Sequence, residues 1–453
     1  MRILNHLVSD FIGDILEQIK YKKAHPYIAR ELEDHIELLR EDYEEEGLAV
    51  DEAYRKAIEQ MGDSTQIGKE LYKTHKPKME WSILLMILVL MGTGIWALTI
   101  YSKHYGQQGQ VQRQLFFIVI GLGGFLLIYL NDYKRFEKWK EVGYCSGVGI
   151  LLYCAFFGQS VNGATLWIRL GPIMFNAAYL ATPFLIISYI SIVRKRATGK
   201  IKDLLLLGII ACIPLVIIIG IPNLRNAILL GITFCMILVF YICSKSFKGN
   251  KVKFLSIIIG TLMIGGGLIT YKVSQTPYMI KRVQYLTQMM ESQESYIAMR
   301  SIRENAHFIG TGSYDTLSMN YMAWDEMSSE MILTFIVGSM GWGVAISLLV
   351  LLGAIIIRLF EIAIKIREDY GRLICLSIAT FFSIQFIVNI VVNLGYMPFV
   401  GMSLPFVSYG GSSLIINLML LGIYLSVYRR KDLVILCMNE KCEATSFAKE
   451  NWE

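Results

Sequence analysis

Glu330 stands at the head of an apolar run, in "DEMSSEMILTFIVGSMGW", where a carboxylate meets water on one side and an acyl-chain boundary on the other. Taken alone it reads as an interfacial carboxylate. Its neighbours in sequence are better suited to handling a charged lipid. Upstream, Lys281, Arg282, Arg300 and Arg303 punctuate the Met- and aromatic-rich stretch "YMIKRVQYLTQMMESQESYIAMRSIREN", and cations so grouped could neutralise an anionic head group such as a pyrophosphate or simply solvate a rim. Val283, Leu286, Met290 and Ile297 recur there at helical spacing, which suits a helix lying at the lipid interface or capping a bundle. "GTGSYDTLS" follows, where Gly310 and Gly312 could turn backbone N–H groups toward a phosphate or form an ordinary turn. Downstream, "SLPFVSYGGSS" sets a proline, adjacent glycines and four serines between apolar runs without one charge. Its candidate ligand-facing residues are Ser408, Tyr409, Gly410, Gly411 and Ser412, although Ser408 and Tyr409 equally suit a turn that the glycines permit. Backbone that leaves regular helix at membrane depth persists only where protein or a cavity shields it. The segment therefore reads as re-entrant or cavity-lining.

The frame for these residues is a membrane. Hydrophobic residues make up 54% of the 453 positions and charged ones only 18%, against the ~25% charge of soluble domains. Apolar runs close to the 18 or more residues of a spanning helix recur at about 81–101, 115–131, 142–158, 175–193, 203–221, 226–243, 254–271, 331–357, 373–395 and 412–428. The expected fold is all-α and polytopic, with about ten transmembrane helices over residues 79–430. A small helical domain (1–78) precedes them and a tail (431–453) follows. Basic residues collect in alternate loops: Lys134, Arg135, Lys138 and Lys140; Arg194 to Lys202; Lys245 to Lys253; Arg358 to Arg372. Because basic loops stay cytoplasmic, both termini are expected inside a bacterial cytoplasmic membrane. The long loop 272–329 and the start of "SLPFVSYGGSS" are then outside.

The formal charge of +6 hides an uneven distribution, since residues 1–78 hold 17 acidic and 12 basic side chains, a net of −5. The basic excess of the remainder is a topology signal and calls for no nucleic-acid partner. Ion-coupled carriers need ionisable groups inside their spans; here all six histidines lie outside the apolar cores, and any chemistry belongs at a surface. No secretory signal peptide is read ahead of the polar, periodic first segment. Six of the eight cysteines lie in or at the end of spans and none in an expected external loop, so no disulfide is expected. Cys437 and Cys442 in "CMNEKC" lack a nearby histidine and read as ordinary thiols. No cofactor is assigned, and a divalent metal is left open.

Within the prefix, Leu4, Leu7, Val8, Phe11, Ile12, Ile15 and Ile19 mark one face of a first helix. A second is expected from about Pro26 to Gly47. A third opens at Asp51 and closes at Gly62, and Asp63 with Gln66 resembles a capping box for a fourth. The acidic run "EDYEEE" is a solvated face or a docking surface for an unknown cytosolic partner. The prefix is similar to short helical domains found ahead of some bacterial permease-like proteins.

The segment "NIVVNLGYMPFVGMSLPFVSYGGSS", Asn389 to Ser413, resembles the signature of the shape, elongation, division and sporulation family of FtsW, RodA and SpoVE. Asn389, Pro398, Gly401, Leu404, Pro405, Phe406, Ser408, Tyr409, Gly410, Gly411 and Ser412 match without a gap. "WIRLGPIMF", Trp167 to Phe175, resembles a second family segment ahead of span four. The resemblance covers roughly residues 80–430. It implies a protein that polymerises peptidoglycan glycan from lipid II, an undecaprenyl-pyrophosphate-linked disaccharide peptide, beside a class B penicillin-binding-type transpeptidase. It further implies a key carboxylate eleven residues before the glycine matched by Gly341, which is Glu330, where the family has Asp. That carboxylate would be the general base for the acceptor sugar's 4-hydroxyl. The added methylene shifts a base by ~1 Å, a displacement that can cost ~10²-fold in rate.

The chain departs from the family at other positions. Asn176, Ala177, Ala178, Tyr179 and Thr182 replace Gln, Pro, Ser, Glu and Lys at the start of span four. P-D-L-G-T becomes "PNLRN", with Asn223, Arg225 and Asn226. Loss of both members of a charge pair leaves no lone buried charge, which fits a remodelled pocket or a retired one. Three readings follow: an external-face peptidoglycan glycosyltransferase with Glu330 as base; a non-catalytic relative that binds precursor or a synthesis partner; and a translocator of lipid-linked precursor.

Overall fold

A computed structural model describes residues 2–20, 22, 25–75, 79–107, 109–161, 164–170, 173–221, 223–261, 263, 300, 302–310, 324–397 and 401–431. These fall in two compact units, one of residues 1–79 with 428–453 and one of residues 80–427. In the first, helices α1 (Arg2–Glu17), α2 (His25–Glu45), α3 (Val50–Met61) and α4 (Ser64–His75) surround a core of Ile12, Ile15, Ile19, Ile28, Leu32 and Ile36. The α1 stripe read from periodicity thus buries its C-terminal half, while Leu7 stays exposed. Gly47 and Gly62 end α2 and α3 with positive φ, a backbone that glycine adopts without a Cβ clash. Asp63 caps α4, accepting from the Thr65 and Gln66 amides at 3.4 and 3.1 Å. Gln66 turns forward to Glu70 and does not reach back, so only half of the capping box forms.

The second unit is a helical membrane body. Its helices are α5 (Trp81–Tyr105), α6 (Gln110–Leu130), the short α7 (Lys134–Lys138), α8 (Lys140–Phe157), α9 (Ala177–Arg196), α10 (Ile201–Gly220) and α11 (Leu224–Cys243). There follow α12 (251–261), α13 (Trp324–Ser329), α14 (Ile332–Met340), α15 (Trp342–Lys365), α16 (Asp369–Asn393) and α17 (Gly411–Arg429). Eight helices among the described residues are long and apolar enough to cross a membrane: α5, α6, α9, α10, α11, α15, α16 and α17. The expected third span corresponds to the 18-residue α8, which is not among those eight. The seventh is helical through residue 261, and the rest of it lies outside the described residues. Helices α9 and α17 are sheathed by the others, with four-fifths or so of their length buried, whereas α6 and α10 are largely peripheral.

Two features differ from the sequence reading. Residues 159–176, between the expected third span and the bulk of the fourth, form a three-stranded antiparallel sheet of β1 (Gln159–Val161), β2 (Ala164–Leu170) and β3 (Ile173–Asn176). "WIRLGPIMF" is its hairpin, pairing Leu170 with Ile173 across Gly171 and Pro172 and Trp167 with Asn176. An all-α core therefore carries one small sheet, formed because alternating apolar side chains suit a half-buried strand. The apolar run expected as one span eight is also broken at Gly341, where φ is 92°. The nine residues of α14 are all buried, and the 24-residue α15 is the spanning helix. The break is stabilised from outside the run. Carbonyls of His307 and Phe308 accept the first two α15 amides, Trp342 N at 2.9 Å and Gly343 N at 2.8 Å, and Gly310 N returns a bond to Met340 O. Those amides have no intrahelical partner, so the 307–310 segment completes the helix start.

Candidate functional site

Glu330 lies in the two-residue interruption between α13 and α14. A continuous helix would hand the Thr334 amide to the Glu330 carbonyl. Here Thr334 N and Oγ1 donate to Asn393 Oδ1 at 3.1 and 2.8 Å. The Glu330 carbonyl is taken by Asn389 Nδ2 at 2.9 Å and Asn393 Nδ2 at 3.0 Å. Two asparagines one turn apart on α16 thus intercalate into the helix ladder and hold the kink that presents the carboxylate. Asn389 also donates to Met402 O at 2.7 Å, which fixes the segment after α16 to the same point. Buried amides seldom go unpaired, and these two are fully committed to the site.

The carboxylate itself is about a quarter exposed and faces Arg225 and Gly401. Arg225 Nη1 is 3.9 Å from Glu330 Oε1, a Coulombic contact too long for a hydrogen bond, and the same nitrogen donates to Gly401 O. The guanidinium lies over the Tyr179 ring, 5.1 Å from its centroid. Gly401 has φ of 74°, and a Cβ built there would stand 2.9 Å from Glu330 Oε1. Only glycine gives both the left-handed backbone and the space.

The glycine-rich turn closes against this point. Tyr409 N donates to Ser328 O at 2.9 Å, joining the turn to the end of α13. Ser408 is buried and its Oγ accepts from Leu404 N at 2.8 Å, so its hydroxyl closes the turn on itself. Gln114, buried in α6, donates to Ser408 O and accepts from Gly410 N, both at 3.4 Å. Ser412 Oγ accepts from Asn176 N at 3.0 Å. That bond joins the two motifs, since Asn176 ends the hairpin and caps α9 by accepting from the Ala178 and Tyr179 amides. Phe406, at φ of 64°, packs beside Phe382; a non-glycine residue held left-handed is strain that the surrounding packing must fix.

Of the four cations anticipated for an anionic head group, Arg303 reaches the site. Its Nη1 donates to Asn393 O at 2.6 Å, one residue removed from Glu330. Arg300 is exposed and pairs with Glu304. Lys281 and Arg282 lie outside the described residues, as do the interfacial helix 278–299 and most of "GTGSYDTLS". Among the described residues no group of three or more His, Cys, Asp or Glu side chains is placed to hold a metal ion. An apolar groove of about 690 Å³ opens between α10, α11 and α12, lined by Leu205, Ile209, Cys212, Val216 and Ile257, and contains none of the site residues. Sequence reasoning missed Asn393, Gln114 and the pairing of Arg225. Asn393 carries a legible signal, an amide inside an apolar span; Gln114, just ahead of its run, and the pairing of Arg225 depend on tertiary proximity.

The sequence profile of the FtsW/RodA/SpoVE family, described as "Cell cycle protein", matches residues 78–433. The chain is 26% identical over 371 residues to "Probable peptidoglycan glycosyltransferase FtsW" of Trichlorobacter lovleyi, covering 77% of this chain and 93% of that protein. It is also 26% identical over 367 residues to the protein of the same name from Bacillus subtilis, covering 77% and 90%. Among solved structures, a chain of a peptidoglycan synthase complex that coordinates polymerization and crosslinking superposes with a TM-score of 0.65. The identity is 22%, over 78% of this chain and 98% of that one. The rod shape determining protein RodA of Thermus thermophilus superposes with a TM-score of 0.56 at 20% identity, covering 78% and 97%. With a profile match over most of its length, and eight apolar helices long enough to span, this chain is a multi-pass membrane protein and belongs to the FtsW/RodA/SpoVE family.

Proposed function

We propose that the chain is a peptidoglycan glycosyltransferase that polymerises lipid II at the outer face of the bacterial cytoplasmic membrane, with Glu330 as general base. The observation that carries this reading is the mounting of Glu330. Its backbone is pinned by Asn389 and Asn393, and its carboxylate sits against Gly401 with Arg225 at 3.9 Å. An acid whose position is this strongly determined suits a reaction that needs a base within hydrogen-bond reach of the acceptor. The names of the relatives point the same way. In the reaction, Glu330 takes the proton of the acceptor sugar's 4-hydroxyl as that oxygen bonds to the donor's anomeric carbon. The bond from that carbon to the pyrophosphate breaks, and undecaprenyl pyrophosphate leaves with the electron pair. Arg303, with Lys281, Arg282 and Arg300, steadies the pyrophosphate. Ser408 to Ser412 shape the wall beside it.

Both termini are cytoplasmic in this reading, in keeping with the alternation of basic loops. A class B penicillin-binding-type transpeptidase is the partner, as suggested by the synthase complex whose chain shares this fold. Residues 1–78 act as a separate cytoplasmic module that docks a cytosolic protein, 79–430 as the synthase body and 431–453 as a tail. The test is purified protein in nanodiscs given labelled lipid II. The expected result is glycan strands from the wild type and none from Glu330→Gln. Equal polymer from both proteins removes Glu330 as base, and precursor binding without polymer from either removes the enzymatic reading.

A further inference from the structure

Three positions at which the chain departs from its family's pattern lie far apart in sequence and meet at one place. Tyr179 stands where span four ordinarily carries Glu, Arg225 where the segment before span six carries Gly, and Glu330 where the base is Asp. Arg225 stacks over Tyr179 and faces Glu330. Thr182, which replaces the family's Lys, donates to the Ala178 carbonyl of its own helix. The positive charge missing from span four is thus present on α11.

Helix stability does not explain Arg225. It occupies the first turn of α11, behind the Asn223 cap, where the helix dipole disfavours a cation. Burial does not explain it either. Arg225 Nε, Tyr179 Oη and both side-chain polar atoms of Asn226 are buried with no hydrogen-bond partner among the described residues, a concentration of unsatisfied atoms that folding alone does not favour. What the guanidinium does have is the Gly401 carbonyl, an aromatic face and, 3.9 Å away, the carboxylate. Its hydrogen bond goes to the backbone and its charge to Glu330, so it fixes the position of the acid. The extra methylene of Glu330 then has a purpose. From the same backbone kink, an aspartate would end roughly 1 Å short of this cation, a displacement of the size that costs ~10² in rate.

We propose that Arg225 is a positioning residue for Glu330, and that Tyr179, Arg225 and Glu330 are one compensated set in which the cation has moved to span six and the acid has lengthened to meet it. The proposal rests on the glycosyltransferase reading and makes a counterintuitive statement: restoring the family's aspartate in this chain harms it. The test uses the full chain in nanodiscs with labelled lipid II and the variants Arg225→Met, Arg225→Lys and Glu330→Asp. Arg225→Met keeps the stem and removes the charge; it is expected to lower kcat by ~10²-fold with KM within about twofold of wild type. Arg225→Lys is expected to recover most of that loss, and Glu330→Asp to lower kcat by at least ~10-fold. Wild-type kcat in Glu330→Asp overturns the proposal. So does a loss in Arg225→Met that falls on KM alone, which would make Arg225 a grip on the donor's pyrophosphate. If the wild type makes no polymer, the functional reading fails, and the proposal is then read from thermal unfolding of Arg225→Met, Glu330→Gln and the double variant. Non-additive Tm losses support the pairing, and additive losses overturn it.

Discussion

Replacing Gly401 with alanine tests the seat of the Glu330 carboxylate with a single methyl group. Two effects are separable. The first is backbone: at φ of 74° an L-residue is disfavoured by about 1–2 kcal/mol. The second is contact, because the new Cβ would stand 2.9 Å from Glu330 Oε1 and 3.5 Å from Arg225 Nη1. Ordinary contact requires several tenths of an ångström more, and the yielding atom is the end of the Glu330 side chain. Displacement approaching 1 Å in a reacting group costs ~10²-fold in rate, so the expected loss of kcat is roughly 10–10²-fold. Gly106 supplies the control, since it has φ of 67° and, among the described residues, nothing within 4 Å of its Cβ position. Gly106→Ala should lose about as much stability as Gly401→Ala, roughly 1–2 kcal/mol, and keep wild-type polymerisation. Thermal unfolding and lipid II polymerisation, measured on both proteins in the same nanodiscs, decide the matter. A Gly401→Ala protein that unfolds early yet polymerises at the wild-type rate refutes the claim that Gly401 seats the acid.

Asn393→Val removes the acceptor for Thr334 N and one of two donors to the Glu330 carbonyl. Leaving such buried groups unmatched costs about 1–3 kcal/mol, to be read as a lower Tm, and the unpinned kink should also lower kcat. In the prefix, the Asp63 carboxyl is held below its ordinary range, chiefly by the Thr65 hydroxyl and then by the Thr65 and Gln66 amides. A depressed acid stabilises the fold above the unfolded value of about 3.9, and that contribution is lost as pH falls through the lower folded value. Amide hydrogen exchange at the start of α4 should therefore lose protection only below about pH 4 in the wild type. In Asp63→Ala the protection should be low throughout, and a pH-independent wild-type profile would remove the cap from the account.

The spans were legible because a helix crossing a bilayer has little freedom: about 20 residues must be apolar whatever their neighbours are. Glu330 was found by counting back from Gly341, and Asn389, Gly401 and the "SYGGSS" residues by their match to a family pattern. The break in the eighth run was not legible. Residues 331–357 carry no charge and are mostly apolar, and the partners that interrupt their helix, the carbonyls of His307 and Phe308, lie outside the run. The hairpin of residues 164–176 was hidden for a related reason. Strands this short have too weak a period to outweigh the adjoining spans, and their pairing is what makes them strands. Arg225 appeared in sequence only as a departure from pattern. Its meaning came from Tyr179 and Glu330, 46 residues before it and 105 after it, both within its reach in space.

The asparagine pair on α16 also sets a schedule. During synthesis Glu330 is made first, and the amides that will carry its carbonyl follow 59 and 63 residues later. Until α16 enters the bilayer beside α14, the Thr334 amide has a closer choice, the Glu330 carbonyl itself, and the segment is better off as an unbroken helix. The acid is therefore presented only once the ninth span has been inserted. A nascent or truncated chain lacking that helix would hold every atom of Glu330 and none of its posture.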